Sequence, residues 1–153
     1  MKLPVWVQYT DKVEGGDQFL FRMRINPKYI DDKGLIAHEY EHVRQWYTIT
    51  AMTLAINCIL AVIVMPSLLT DPYVIGLITA YSALAYHIVV RSLRRIRLRV
   101  ESICYARQIE QYEPKHHSQH MDYFAKVLSE KYDLQITKEV ARKSISAELF
   151  QSW

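Results

Sequence analysis

Two blocks without a charged side chain, residues 45–70 and 72–90, dominate the pattern of polar and apolar positions, with Asp71 alone between them. Each is as long as the roughly 18 to 20 residues that a bilayer core asks of a helix. Met65-Pro66-Ser67 and Thr70-Asp71-Pro72 supply the breakers for a tight turn. The pattern predicts an inserted apolar helical hairpin over residues 48–90 that spans a membrane. Two buried helices of a soluble core are the alternative, kept open by Thr48, Thr50, Thr53, Asn57, Thr79, Ser82 and His87. Against it, the rest of the chain is short for covering two helices that are apolar all round. Within a membrane hairpin, Asn57 and His87 read as interhelical hydrogen-bonding groups.

On either side of this hairpin the periodicities change. Leu3 to Tyr9 alternate, Gln18 to Ile25 are rich in aromatic and branched side chains, and Glu14-Gly15-Gly16-Asp17 reads as the turn of a β-hairpin joining them. Leu35, Ile36, Ala37, Val43 and Trp46 then mark a partly buried helix that Asp31 or Asp32 can cap. Beyond Pro114, Met121, Phe124, Ala125, Leu128 and Tyr132 recur at helical spacing. Thr137 caps a last helix through about Phe150, with Trp153 at its end. The expected fold is mainly α with a small N-terminal β-hairpin, residues 1–153 forming one domain.

Charge orients the hairpin. Arg44 precedes the first apolar block and Arg91, Arg94, Arg95, Arg97 and Arg99 follow the second, whereas the turn carries no lysine or arginine. Positive residues stay on the cytoplasmic side, so both termini are expected there and the protein is a two-span membrane protein. Anionic lipid head groups are the natural partner of this cluster. A net charge of +3 gives no reason to expect nucleic acid. Cys58 and Cys104 lack CxxC spacing, so neither a disulfide framework nor a cysteine zinc knuckle is indicated, and Cys58 reads as a small buried residue. Met1-Lys2-Leu3-Pro4 has no signal-peptide pattern. Nothing in the sequence sets the oligomeric state.

The chemistry lies in His38-Glu39-Tyr40-Glu41-His42, an HExxH string. Spacing i, i+4 stacks the two imidazoles on one helical face, where both reach a single metal ion. Glu39 then sits beside that ion, where a base for a water molecule is needed. A catalytic zinc takes three protein ligands. If the motif helix runs on into the first span, it climbs about 36 Å from His42 to Pro66, and the second span descends about 42 Å from Tyr73 to Glu101. Glu101 therefore returns level with the histidines, while Glu110 and Glu113 overshoot by roughly two turns and face solvent.

The stretch from Gly34 to Trp46, with Glu101-Ser102-Ile103-Cys104-Tyr105-Ala106-Arg107-Gln108 downstream, resembles the gluzincin metallopeptidases, in which a glutamate on a later helix completes HExxH. It is similar to small phage and bacterial peptidases and to membrane-bound gluzincins, over about 20 residues in two blocks. The resemblance implies a zincin-like minimal domain with the apolar hairpin inserted, and Zn2+ held by His38, His42 and Glu101. It implies peptide-bond hydrolysis near the cytoplasmic membrane face, Glu39 moving the proton from water to the leaving amine. It also implies a strand beside the motif helix along which an extended peptide can pair, for which Phe19 to Ile25 is the candidate beside a plain covering role. Three departures stand out, the first being an intervening hairpin longer than in the small soluble members. Tyr105 occupies the position of an aspartate that orients a histidine, and Cys104 replaces an alanine. Tyr105, with Tyr112, His116, His117, His120 and Tyr123, is a candidate helper for the oxyanion. His116, His117 and His120 read as a polar loop and helix start in preference to a second metal site. The competing function is a non-catalytic membrane scaffold whose zinc site is structural or empty.

Overall fold

The computed structural model describes residues 3–64 and 70–151. Three short strands open the chain: β1 (Trp6–Tyr9), β2 (Gly16–Phe19) and β3 (Arg22–Ile25). Five helices follow: α1 (Lys33–Val64), α2 (Pro72–Ser92), α3 (Arg94–Ile109), α4 (His117–Lys131) and α5 (Lys138–Gln151). The protein is mainly helical, with a small N-terminal sheet.

The sheet differs from the expected hairpin. Its order is β1-β3-β2, with β1 parallel and β2 antiparallel to β3. Leu3–Tyr9 and Gln18–Ile25 therefore do not form one antiparallel pair around Glu14–Asp17. The tight turn lies instead at Leu20-Phe21, with Leu20 at φ 56°. A left-handed leucine is uncommon, and no glycine or asparagine marks the spot. Contacts hold it there: the Leu20 backbone N–H donates to His87 Nε2 at 3.2 Å, and Phe19 stacks on the His87 ring at 4.8 Å. His87 thus ties the turn to α2, whereas Asn57 bonds across the hairpin to Ser82 Oγ at 3.2 Å.

Asp32 starts α1 by accepting from the Leu35 N–H at 2.9 Å, as Ser, Thr, Asn or Asp does at a helix N-cap. From there α1 runs unbroken through the HExxH motif and the first apolar block. Asp71 caps α2 the same way, through Tyr73 N–H at 2.8 Å. Met65-Pro66-Ser67 falls outside the described residues, as does Trp153. The descending arm is broken: Leu93, extended at φ −117° and ψ 99°, separates α2 from α3. Glu101 is therefore carried on a separate helix and not on the continuation of the second apolar block.

Two clusters hold the elements together. Ile109, Phe124, Ala125, Leu128, Ala141 and Ile145 interlock α3, α4 and α5, and Ser102 Oγ donates to Ser144 Oγ at 2.8 Å. Trp46, Tyr86, Val90 and Val100 join α1, α2 and α3, with the Trp46 indole donating to the Ala83 carbonyl at 2.7 Å. Thr137 caps α5 through the Val140 N–H. The apolar parts of α1 and α2 stay uncovered: only 6% and 22% of their most apolar windows is buried, and Cys58 is half-exposed. Both helices are long and apolar enough to cross a membrane.

Candidate metal centre

His38 and His42 project from α1 toward α3, which presents Glu101 and, one helical turn on, Cys104 and Tyr105, while Glu39 lies against Gly16 of β2. Close packing of α1 on α3 makes this meeting possible, with Cys104 wholly buried against His42 and Gln45 of α1. Glu101 Oε2 lies 3.8 Å from His38 Nε2 and 3.5 Å from His42 Nε2. These separations are long for hydrogen bonds. The 3.5 Å separation matches the edge of a coordination tetrahedron, since donors about 2.0 to 2.2 Å from zinc stand roughly 3.3 to 3.6 Å apart, and the 3.8 Å separation is slightly longer than such an edge.

Three buried polar atoms here have no hydrogen-bond partner: Glu101 Oε2, Glu39 Oε2 and His38 Nδ1. An unsatisfied buried carboxylate oxygen is costly, and a cation among the two Nε2 atoms and Glu101 removes most of that cost. The residues present therefore fit a divalent metal. Cys104 adds a second possibility, for His38, His42 and Cys104 offer donor atoms within 4.8 Å of one another. Its Sγ, however, lies 3.3 Å from His42 Nδ1, on the ring edge opposite the Nε2 that faces Glu101.

Electrostatics follow from burial. Desolvation pushes His38 down to about 3, helped by the neighbouring His42, so that ring stays neutral. For His42, burial opposes the charged form, but Cys104 and Glu101 outweigh it and hold the pKa well above the usual range. Glu101 is likewise lowered against the pull of burial, chiefly by the charge of His42 beside it. Burial raises Glu39 to about 7, with Glu101 and Asp17 adding repulsion, and raises Cys104 to about 11.

The surroundings correct two expectations. Tyr105 does not hydrogen-bond a histidine: its hydroxyl meets the Tyr132 hydroxyl at 2.9 Å, and its ring stands edge-on to His38 at 4.5 Å. The group that orients a histidine is Tyr86, which donates to Gln45 Oε1 at 3.3 Å and accepts from His42 Nδ1 at 3.0 Å. In the neutral ring, a proton on Nδ1 shared with Tyr86 would leave Nε2, the atom facing Glu101, as the ligand atom. Nor is Phe19 to Ile25 the available rim. β3 is the central strand, and the edge next to the motif helix is β2. Gly16 lies so close to Glu39 that a Cβ there would stand 2.7 Å from its Oε1.

Two openings adjoin the centre. One is lined by Gly16, Asp17 and Gln18 of the β2 edge and by Tyr86, His87 and Val90 of α2, with Arg97 and Tyr132. The other, about 460 Å³, is lined largely by aromatic residues including Tyr105, Tyr112, Tyr123 and Phe124. Both reach His38, Glu39 and Tyr132. Of the other candidates, Tyr112 donates to Asp32 Oδ1 at 3.2 Å and stacks on His120, while His117 Nε2 bonds the Tyr112 carbonyl. His116 lies 3.9 Å from Glu113, which is exposed, and Glu110 pairs with Arg107 at 2.9 Å. Neither a family model, nor a curated protein, nor a solved structure matches the chain.

Proposed function

We propose that the chain is a membrane-anchored zinc peptidase of gluzincin type, with a zincin-like arrangement of β2, α1 and α3. The observation that carries this reading is the convergence of His38, His42 and Glu101 at coordination spacing beside the unpartnered carboxylate of Glu39. His38 Nε2, His42 Nε2 and Glu101 Oε2 would hold the ion. Zinc bound there would supply a Lewis acid for a peptide carbonyl and for a water molecule. Glu39 takes the proton from that water and delivers it to the departing amine. Tyr132 lines both openings and its phenol stays protonated, burial and Glu101 raising its pKa, which supports it as a donor for the developing oxyanion. The β2 edge offers backbone groups to an extended chain.

The uncovered apolar faces of α1 and α2 support insertion in a bilayer, with both termini cytoplasmic by the distribution of arginine. Tyr86, His87 and Val90 then bring one mouth of the site close to the membrane surface.

Zinc stoichiometry and hydrolysis of a mixed peptide library test this together. Glu39→Gln is expected to keep one zinc per chain and to lose activity by about 10² to 10⁴. Glu101→Ala is expected to weaken zinc by more than about a hundredfold. The nearness of Cys104 to His42 favours a second reading, a structural site in a non-catalytic scaffold. Zinc lost in Cys104→Ala but kept in Glu101→Ala, with biological function unchanged in Glu39→Gln, would establish that one instead.

A further inference from the structure

Behind the metal centre, on the opposite side of the α1–α3 pair, lies a groove of about 820 Å³. Its walls divide by chemistry. Ile49, Met52 and Ile96 make an apolar channel, and Arg44, Arg95 and Arg99 stand over its rim. Met52 is 60% exposed and Ile49 and Ile96 are partly so, so the channel opens to the outside. The one carboxylate in the lining, buried Glu41, is already neutralised by Arg44 at 2.8 Å. Arg99 lies 3.5 Å from Glu148 with most of its side chain in solvent. Among the described residues no carboxylate pairs with Arg95. The groove thus presents surplus positive charge above an apolar trough.

Its position in the chain gives the ligand. Arg44 is the last charged residue before the apolar block of α1, and Arg95 and Arg99 follow closely on the end of α2. The rim sits where a bilayer changes from head group to acyl chain, and the trough continues toward the apolar side. Arginine holds a phosphodiester through parallel N–H donors, and basic residues at this level attract anionic lipid. We infer that this groove is a binding site for one anionic phospholipid, its phosphate held by Arg95 and Arg99 with Arg44 beside them and an acyl chain lying on Ile49, Met52 and Ile96. The lipid would bridge the helix that carries the histidines and the helix that carries Glu101.

The inference rests only on the membrane part of the function proposed above. Recovery of the chain in buffer without detergent overturns that part, independently of any zinc or peptidase result. The test uses the full chain in detergent, titrated with short-chain phosphatidylglycerol and phosphatidylcholine and read by native mass spectrometry. One phosphatidylglycerol is expected to bind saturably and phosphatidylcholine much more weakly. Arg95→Gln/Arg99→Gln should weaken binding about thirtyfold, at the scale of one charge contact each. Arg94→Gln is the control at the same depth, because Arg94 turns away to Gln135; it should change binding less than twofold. Arg44 is left intact, since removing it would strand Glu41. An equal loss in Arg94→Gln, equal binding of the two lipids, or binding of glycerol 3-phosphate as tight as that of the lipid would each overturn the site.

Discussion

Gly16 shows how much of this centre depends on a side chain that is missing. With a Cβ 2.7 Å from Glu39 Oε1 and 2.9 Å from its Cδ, alanine at this position must push a buried carboxylate aside. Gly16→Ala is therefore expected to keep the zinc and to lower hydrolysis by about a hundredfold, the scale on which a misplacement of about 1 Å acts. Unchanged kcat/KM would mean that Glu39 is not the proton carrier. At this scale the sequence was informative where chemistry is periodic. His38 and His42 announce themselves by spacing; the path back singled out Glu101 on the assumption of one continuous descending helix, which the break at Leu93 replaces by two. Tyr86 and Tyr132 gave no such signal, because their partners His42 and Tyr105 are brought close only by tertiary packing. Cys104 reads as a neutral replacement for alanine, and only the packing of α1 on α3 puts its sulfur against His42.

Among the elements, the helices were legible and the sheet was not. Apolar runs, Asp32, Thr137 and the spacing of Met121, Phe124, Ala125 and Leu128 locate α1, α4 and α5, since these signals act over a few residues. The parallel pairing of β1 with β3 could not be read from alternation, which fixes the face a residue takes and not the neighbour a strand chooses. The break at Leu93 was equally hidden, with no proline or glycine to mark it. Packing of α5 behind α3 has a measurable consequence. Ile145 is fully buried in the cluster of α3, α4 and α5, so Ile145→Ala should lower stability by about 2 to 5 kcal/mol. Thermal loss of helicity in detergent reads this, and a change below about 0.5 kcal/mol would mean that the cluster is not a packed core.

For the molecule as a whole, the decisive quantity is the apolar surface that α1 and α2 leave uncovered. A soluble core of this size would have to hide it, and the described residues do not. The chain is expected to remain with membranes through salt and alkaline washes and to leave them only with detergent. In sealed vesicles whose interior corresponds to the cytoplasm, tags at both ends should resist added protease. Digestion of either tag would reverse the assigned topology.

One rigid rod carries both imidazoles and the first apolar segment, whereas the opposing carboxylate lies past the kink at Leu93. A straight helix answers a thicker or thinner hydrocarbon layer by changing its tilt. Bilayer thickness would accordingly set how well His38 and His42 face Glu101, making the lipid environment an adjustable parameter of the proposed chemistry.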